Sequence, residues 1–96
     1  MNSPSEAERL QRDLSELVSM ESITPVAIQW APPYILRTSM EMLRAQILSR
    51  RAMIGTGELT QEAVDRTARE IQRRVERIRL IVAELRRRGV EVEWEE

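Results

Sequence analysis

The sequence predicts an all-α fold, a helical bundle built on a long antiparallel helical hairpin. Apolar residues between positions 60 and 88 recur at alternating spacings of four and three, the period of one helix face. The 96 residues include two Trp, one Tyr and no Phe, so the core must be aliphatic, which suits helix-on-helix packing. Charged residues make up 32% of the chain, a share typical of long solvated helices. We expect a single helical domain over residues 1–96.

An N-terminal helix is predicted over residues 4–20. Ser3 can act as its N-cap, Pro4 suits the first helical position, and Glu6 completes a capping box. The apolar positions that follow at helical spacing are Ala7, Leu10, Leu14 and Leu17.

Residues 25–31 are expected to form a short extended segment. Prolines at positions 25, 32 and 33 disfavour a helix, and an extended chain places Val26, Ile28 and Trp30 on one side. The alternative is a single helical turn that starts at Thr24-Pro25.

The hairpin is predicted from two helices, 33–54 and 60–88, joined by a turn around Gly55 and Gly57. Thr60 can cap the second helix and Gly89 can end it in a left-handed conformation. The seam of this second helix consists of Val64, Ala68, Ile71, Val75, Ile78, Val82 and Leu85.

Residues 90–94 form a second predicted extended segment, because valine and tryptophan alternate there with glutamate. Val90, Val92 and Trp94 would share one face, and the segment would pair as a strand with residues 25–31 while lying on the helices. The alternative is a free acidic tail that becomes ordered on a partner.

Several kinds of chemistry are disfavoured by composition. The chain has no Cys and no His, so it lacks thiolates, the commonest general base and the commonest transition-metal ligand. We therefore predict no catalytic residue, no metal site and no cofactor, and we do not expect an enzyme. No apolar run approaches the length of a membrane span, and the N-terminus does not resemble a secretory signal, so we expect a cytoplasmic protein without membrane association.

The expected function is a non-enzymatic, homo-oligomeric interaction or assembly subunit, an adaptor or structural component. The predicted seams are longer than a small monomer would bury, so the partners are expected to be the chain itself, as a dimer or higher oligomer, and another protein. The predicted interface residues are Leu36, Met40, Leu43, Ile47, Val64, Ile71, Val75, Ile78, Val82, Leu85, Trp30 and Trp94.

The alternative function is a small regulator that binds nucleic acid through the arginine-rich face of the last helix. Residues 61–89 carry nine arginines against five acids, and arginine pairs well with phosphate. All fifteen basic residues are arginine, which fits either a GC-rich genome or selection for bidentate pairing. The predicted nucleic-acid contacts are Arg73, Arg74, Arg77, Arg86, Arg87 and Arg88.

Overall fold

The computed structural model describes residues 23–94, and these residues form three helices without any strand. Helix α1 spans Pro25–Trp30, α2 spans Pro33–Gly55, and α3 spans Gln61–Arg87. Helices α2 and α3 pack against each other, and α1 packs against α3. The predicted all-α fold with a long helical hairpin is therefore confirmed. The predicted helix over residues 4–20 lies outside the described residues.

The ends of the hairpin helices follow from local capping, as the sequence predicts. Pro33 occupies the first turn of α2, where its missing N–H costs nothing. The hydroxyl of Thr60 accepts a hydrogen bond from the Ala63 amide at 3.2 Å and so caps the start of α3. Gly89, at φ +81°, ends α3 with a Schellman motif in which the Val90 amide donates to the Leu85 carbonyl at 3.0 Å. The predicted bounds of 33–54 and 60–88 are correct to within one residue.

The core lies along the facing sides of α2 and α3 and extends to α1. Its buried apolar side chains are Ile23, Ile28, Leu36, Leu43, Ile47, Ile78, Ile81, Val82 and Leu85.

The early part of the predicted α3 seam is displaced in the structure. Ala68 is exposed, whereas the neighbouring Thr67 is buried and donates its hydroxyl to the Ala63 carbonyl at 2.7 Å. A straight α-helix repeats every 3.6 residues and drifts by about 20° per heptad from a 3.5-residue repeat. The contact face of α3 therefore cannot follow the seam read from the sequence over the full length of the helix.

The prediction of an extended segment over residues 25–31 is wrong, because Pro25–Trp30 is a helix. The hydroxyl of Thr24 accepts a hydrogen bond from the Ala27 amide at 3.1 Å, and Pro25 stands in the first turn. The helix buries Ile28 to 3% exposure and turns Val26 and Trp30 outward. The predicted strand pairing of residues 25–31 with 90–94 is excluded as a consequence.

Residues 90–94 have no regular secondary structure and lie on the hairpin. Val90, Val92 and Trp94 are partly buried against the core, while Glu91 and Glu93 are exposed. The guanidinium of Arg86 donates to the Val92 carbonyl at 3.3 Å. The alternating burial predicted for this segment is confirmed, although helices rather than a strand supply its neighbour.

Candidate interaction surface

The structure places half of the predicted interface residues inside the core of a single chain. The fully buried members are Leu36, Leu43, Ile47, Ile78, Val82 and Leu85. Those partly buried against the same core are Met40, Ile71, Val75 and Trp94. Val64 is half-buried, and Trp30 alone in this set is strongly exposed.

The two hairpin helices therefore cover most of each other's apolar seams. A side chain already enclosed by its own chain has little surface left for a partner, so the members of the set that stay exposed, above all Trp30, are the ones available for an interface.

Three large side chains at the junction of α1 and α2 face solvent. Val26 is 64% exposed, Trp30 is 80% exposed and Tyr34 is 68% exposed. Val26 and Trp30 are one turn apart on α1 and thus share a face, and Tyr34 lies in the first turn of α2. We call these three side chains the α1 surface. Residues 22–36 around them contain no charged side chain, in a chain that is 32% charged.

The carboxyl end of α1 is held by Arg88, which follows the last residue of α3. Its Nη1 donates to the Ala31 carbonyl at 2.6 Å, and its Nη2 donates to the carbonyls of Gln29 at 2.8 Å and Ile28 at 3.2 Å. The last carbonyls of a helix have no partner within the helix, so these bonds satisfy groups that would otherwise need water. We call this arrangement the Arg88 clasp.

Glu84 fixes the guanidinium of the Arg88 clasp. Its Oε1 accepts from Arg88 Nε at 2.9 Å and from Arg87 Nη2 at 2.6 Å, while its Oε2 accepts from Arg87 Nε at 3.0 Å. Hydrogen bonds from Arg87, and then from Arg88, lower the pKa of Glu84 from 4.5 to about 2. The same contact with Glu84 raises the pKa of Arg87. Glu84 is thus a carboxylate at neutral pH, and α1 is attached to α3 by charge-assisted hydrogen bonds.

The arginines proposed for nucleic-acid contact are divided between structural roles and the surface. Arg74 donates its Nε to Gln46 Oε1 at 2.8 Å and its Nη1 to the Glu70 carbonyl at 3.0 Å. Burial, followed by the charge of Arg50, lowers the pKa of Arg74.

Arg88 belongs to the clasp, Arg87 pairs with Glu84, and Arg86 contacts the backbone of the C-terminal segment. Arg73 is exposed and Arg77 is half-buried. Because four of the six arginines make hydrogen bonds within the chain, the set does not form a free basic face.

Over residues 23–94, no group of three or more His, Cys, Asp or Glu side chains gathers as a metal ion would require. None of the helices in that range combines the length and apolar character needed to cross a bilayer.

Sequence reasoning identified Trp30 as an interface residue but omitted Val26 and Tyr34. The fifteen uncharged positions from 22 to 36 could have indicated the whole surface, but the extended geometry expected there placed Val26, Ile28 and Trp30 together on one side. Comparison with protein-family models, curated proteins and solved structures finds no match to this chain.

Proposed function

We propose that this protein is a non-enzymatic helical assembly subunit that pairs with a second copy of itself through the α1 surface. The observation that carries the proposal is Trp30, which is 80% exposed on a helix whose position is set by the Arg88 clasp. Its cytoplasmic location stays a prediction from the sequence.

The composition of the α1 surface supports an interface. Single exposed apolar residues are ordinary, but Trp and Tyr are enriched among the residues that dominate binding energy. They supply large contact areas for the loss of few rotatable bonds. Because capping and the Arg88 clasp hold α1 in place, little further ordering is needed when a partner binds.

The charge distribution favours a second copy as the partner. In a twofold symmetric dimer each interface residue faces the same surface on the other subunit, so a charged patch meets its own charge. Like charges brought together in this way are unfavourable. Residues 22–36 carry no charge, and the two charged groups that lie beside Trp30, Glu84 and Arg87, pair with each other. The α1 surface can therefore face itself with little of this repulsion.

The size of the surface sets the expected strength of association. Stable interfaces usually bury about 1,200–2,000 Å² in total, and one Trp contributes roughly 150–250 Å². Two copies of Val26, Trp30 and Tyr34 would form the centre of a small interface. We therefore expect a dissociation constant on the order of micromolar.

The proposal is tested by light scattering coupled to size-exclusion chromatography over a range of concentrations. The wild-type chain of 11.2 kDa should run at about twice that mass at high concentration. Trp30→Gln removes the central contact without disturbing the core, so it should weaken association at least about tenfold. Circular dichroism should show unchanged helicity.

Met53→Gln is the matched control. Met53 is 48% exposed and lies near the end of α2, about 30 Å along the helix from its start. This substitution also replaces one exposed apolar side chain by an amide, but it should leave the mass unchanged. A monomeric wild-type protein at high concentration, or equal masses for wild type and Trp30→Gln, would rule out self-association through α1.

A further inference from the structure

A concave site lies on the flank of the hairpin, away from the α1 residues. It is a pocket of about 310 Å³ between α2 and α3, bordered by the C-terminal segment. Ile47 and Leu48 contribute apolar surface from α2, and Ile71 and Val75 contribute it from α3. Leu48 is 55% exposed, so part of this surface is open to water. Its volume is near the lower end of the range for small-molecule sites, about 300–1,000 Å³.

Two arginines add positive charge to this apolar site. Arg44 and Arg51 both line the pocket from α2. They are seven residues apart, two helical turns, and therefore lie on the same side of the helix. Neither forms an ion pair with a carboxylate of the described residues. Both guanidiniums are thus available to an anion in the pocket.

Trp94 borders the same pocket and carries an unsatisfied donor. Its Nε1 is buried and has no hydrogen-bond acceptor within the described part of the chain. Buried donors are nearly always paired in folded proteins, because an unmade hydrogen bond is unfavourable. This Nε1 has almost no accessible surface, so an acceptor from outside the chain would remove the cost only if the indole turned towards the pocket.

From these three features we propose that the pocket binds a small amphipathic carboxylate, with an aliphatic body and one negative charge. The aliphatic body packs on Leu48, Ile71 and Val75, and the carboxylate pairs with the guanidiniums of Arg44 and Arg51. When the indole turns towards the pocket, a carboxylate oxygen also supplies the acceptor that Trp94 Nε1 lacks. The proposal is independent of self-association, since none of these residues belongs to the α1 surface.

Isothermal titration calorimetry of the wild-type protein with three probes of equal chain length tests the ligand class. Octanoate should bind saturably with one site per chain. 1-Octanol has the same body without the charge and should bind at least about tenfold more weakly, because hydrogen bonds to charged groups are the strong ones. Octylammonium should not bind. Equal affinity for octanoate and octanol, or no saturable octanoate binding, would overturn the proposal.

A charge-matched pair of double variants tests the location. Arg44→Gln/Arg51→Gln should weaken octanoate binding at least about tenfold and leave octanol binding unchanged. Arg37→Gln/Arg69→Gln removes the same net charge from exposed positions of α2 and α3 that do not line the pocket. This control should retain octanoate affinity. An equal loss in both variants would indicate general electrostatic attraction and contradict a defined site.

Fluorescence gives an independent readout of the same pocket. Trp30 and Trp94 are the only two tryptophans, so Trp30→Phe leaves Trp94 as the sole reporter. Octanoate should change Trp94 emission with the same midpoint as the calorimetric titration. An unchanged emission at saturating octanoate would place the ligand elsewhere and refute the assignment.

Discussion

Glu84 pairs with two arginines, one of which attaches α1 to the end of α3. Its side chain is only 9% exposed, and Arg87 and Arg88, three and four positions further along the chain, supply the hydrogen bonds that keep it ionised. An acid placed there without Arg87 and Arg88 would face the cost of burying an unpaired charge. The three residues therefore act as one unit, and a change in any one alters the others.

The lowered pKa of Glu84 predicts a loss of stability in acid. Its folded-state pKa of about 2 lies below the ordinary 4.5, so the ionised form stabilises the fold fully above about pH 4.5. This contribution is lost progressively as the pH falls from 4.5 towards 2. Urea unfolding at stepped pH should show this loss in the wild type and a flatter profile for Glu84→Gln. Glu91→Gln, at an exposed position, should keep the wild-type slope, and identical slopes in all three proteins would contradict the assignment.

Alanine substitutions at two glycines should change the free energy of unfolding in opposite directions. A Cβ at Gly89 would meet no atom within 4 Å, but φ is +81°, so Gly89→Ala should destabilise the protein by about 1 kcal/mol through backbone strain alone. A Cβ at Gly55 also meets nothing within 4 Å, and that residue ends α2 without a positive φ. Gly55→Ala should therefore stabilise by about 0.5–1 kcal/mol. Urea denaturation of both variants measures the difference, and equal signs would refute the role of Gly89 as the helix stop.

Helix α1 is the element that depends most on tertiary contacts. It has six residues, well below the length at which an isolated helix is stable in water. Three features hold it: the Thr24 cap, the burial of Ile28 to 3% exposure, and the Arg88 clasp. The first is local, whereas the clasp joins residues 57 positions apart and the burial of Ile28 comes with the packing of α1 on α3.

Substitution of Arg88 tests the clasp at this scale. Its side chain is 21% exposed and makes hydrogen bonds to three carbonyls, so Arg88→Gln should cost about 2–3 kcal/mol of stability. Arg88→Lys should recover only part of this, because an ammonium cannot match the fork of the guanidinium. Hydrogen exchange should accelerate selectively at the amides of α1.

The control for the clasp is Arg86→Gln. Arg86 carries the same charge in the same turn, is exposed, and makes a single hydrogen bond to Val92 at 3.3 Å. Its loss should cost less than about 0.5 kcal/mol. Similar stability and exchange rates for the variants at positions 86 and 88 would show that the clasp contributes little.

In the whole of the described chain, buried and exposed apolar side chains lie on different parts of the fold. Those between α2 and α3 are buried, and those of the α1 surface are exposed to solvent. The C-terminal segment packs on the hairpin and covers a further part of it. If the proposed dimer forms, mass action makes its stability depend on concentration. The Tm of the wild type should then rise with protein concentration, while the Tm of Trp30→Gln should rise much less.

Periodicity and capping residues were sufficient to predict the hairpin. Pro33, Thr60 and Gly89 mark helix ends through backbone geometry and local hydrogen bonds, which depend on neighbouring residues. The alternating burial of Val90, Val92 and Trp94 was predicted from another local pattern, the alternation of apolar and acidic residues. The helix at residues 25–30 was not predicted, because a run of six residues with proline at its start is compatible with either an extended chain or one helical turn.

The sequence by itself determined that this chain forms an all-α hairpin with defined ends and an apolar C-terminal face. Only the tertiary structure decided which apolar residues are buried in the chain's own core and which stay exposed on its surface. Val26 and Ile28 are both β-branched and two positions apart, yet one is 64% exposed and the other 3%. Residues two apart on a helix lie on nearly opposite sides, and the packing of α1 on α3, with the Arg88 clasp sixty positions away from Ile28, decides which side is buried. No local pattern encodes that contact.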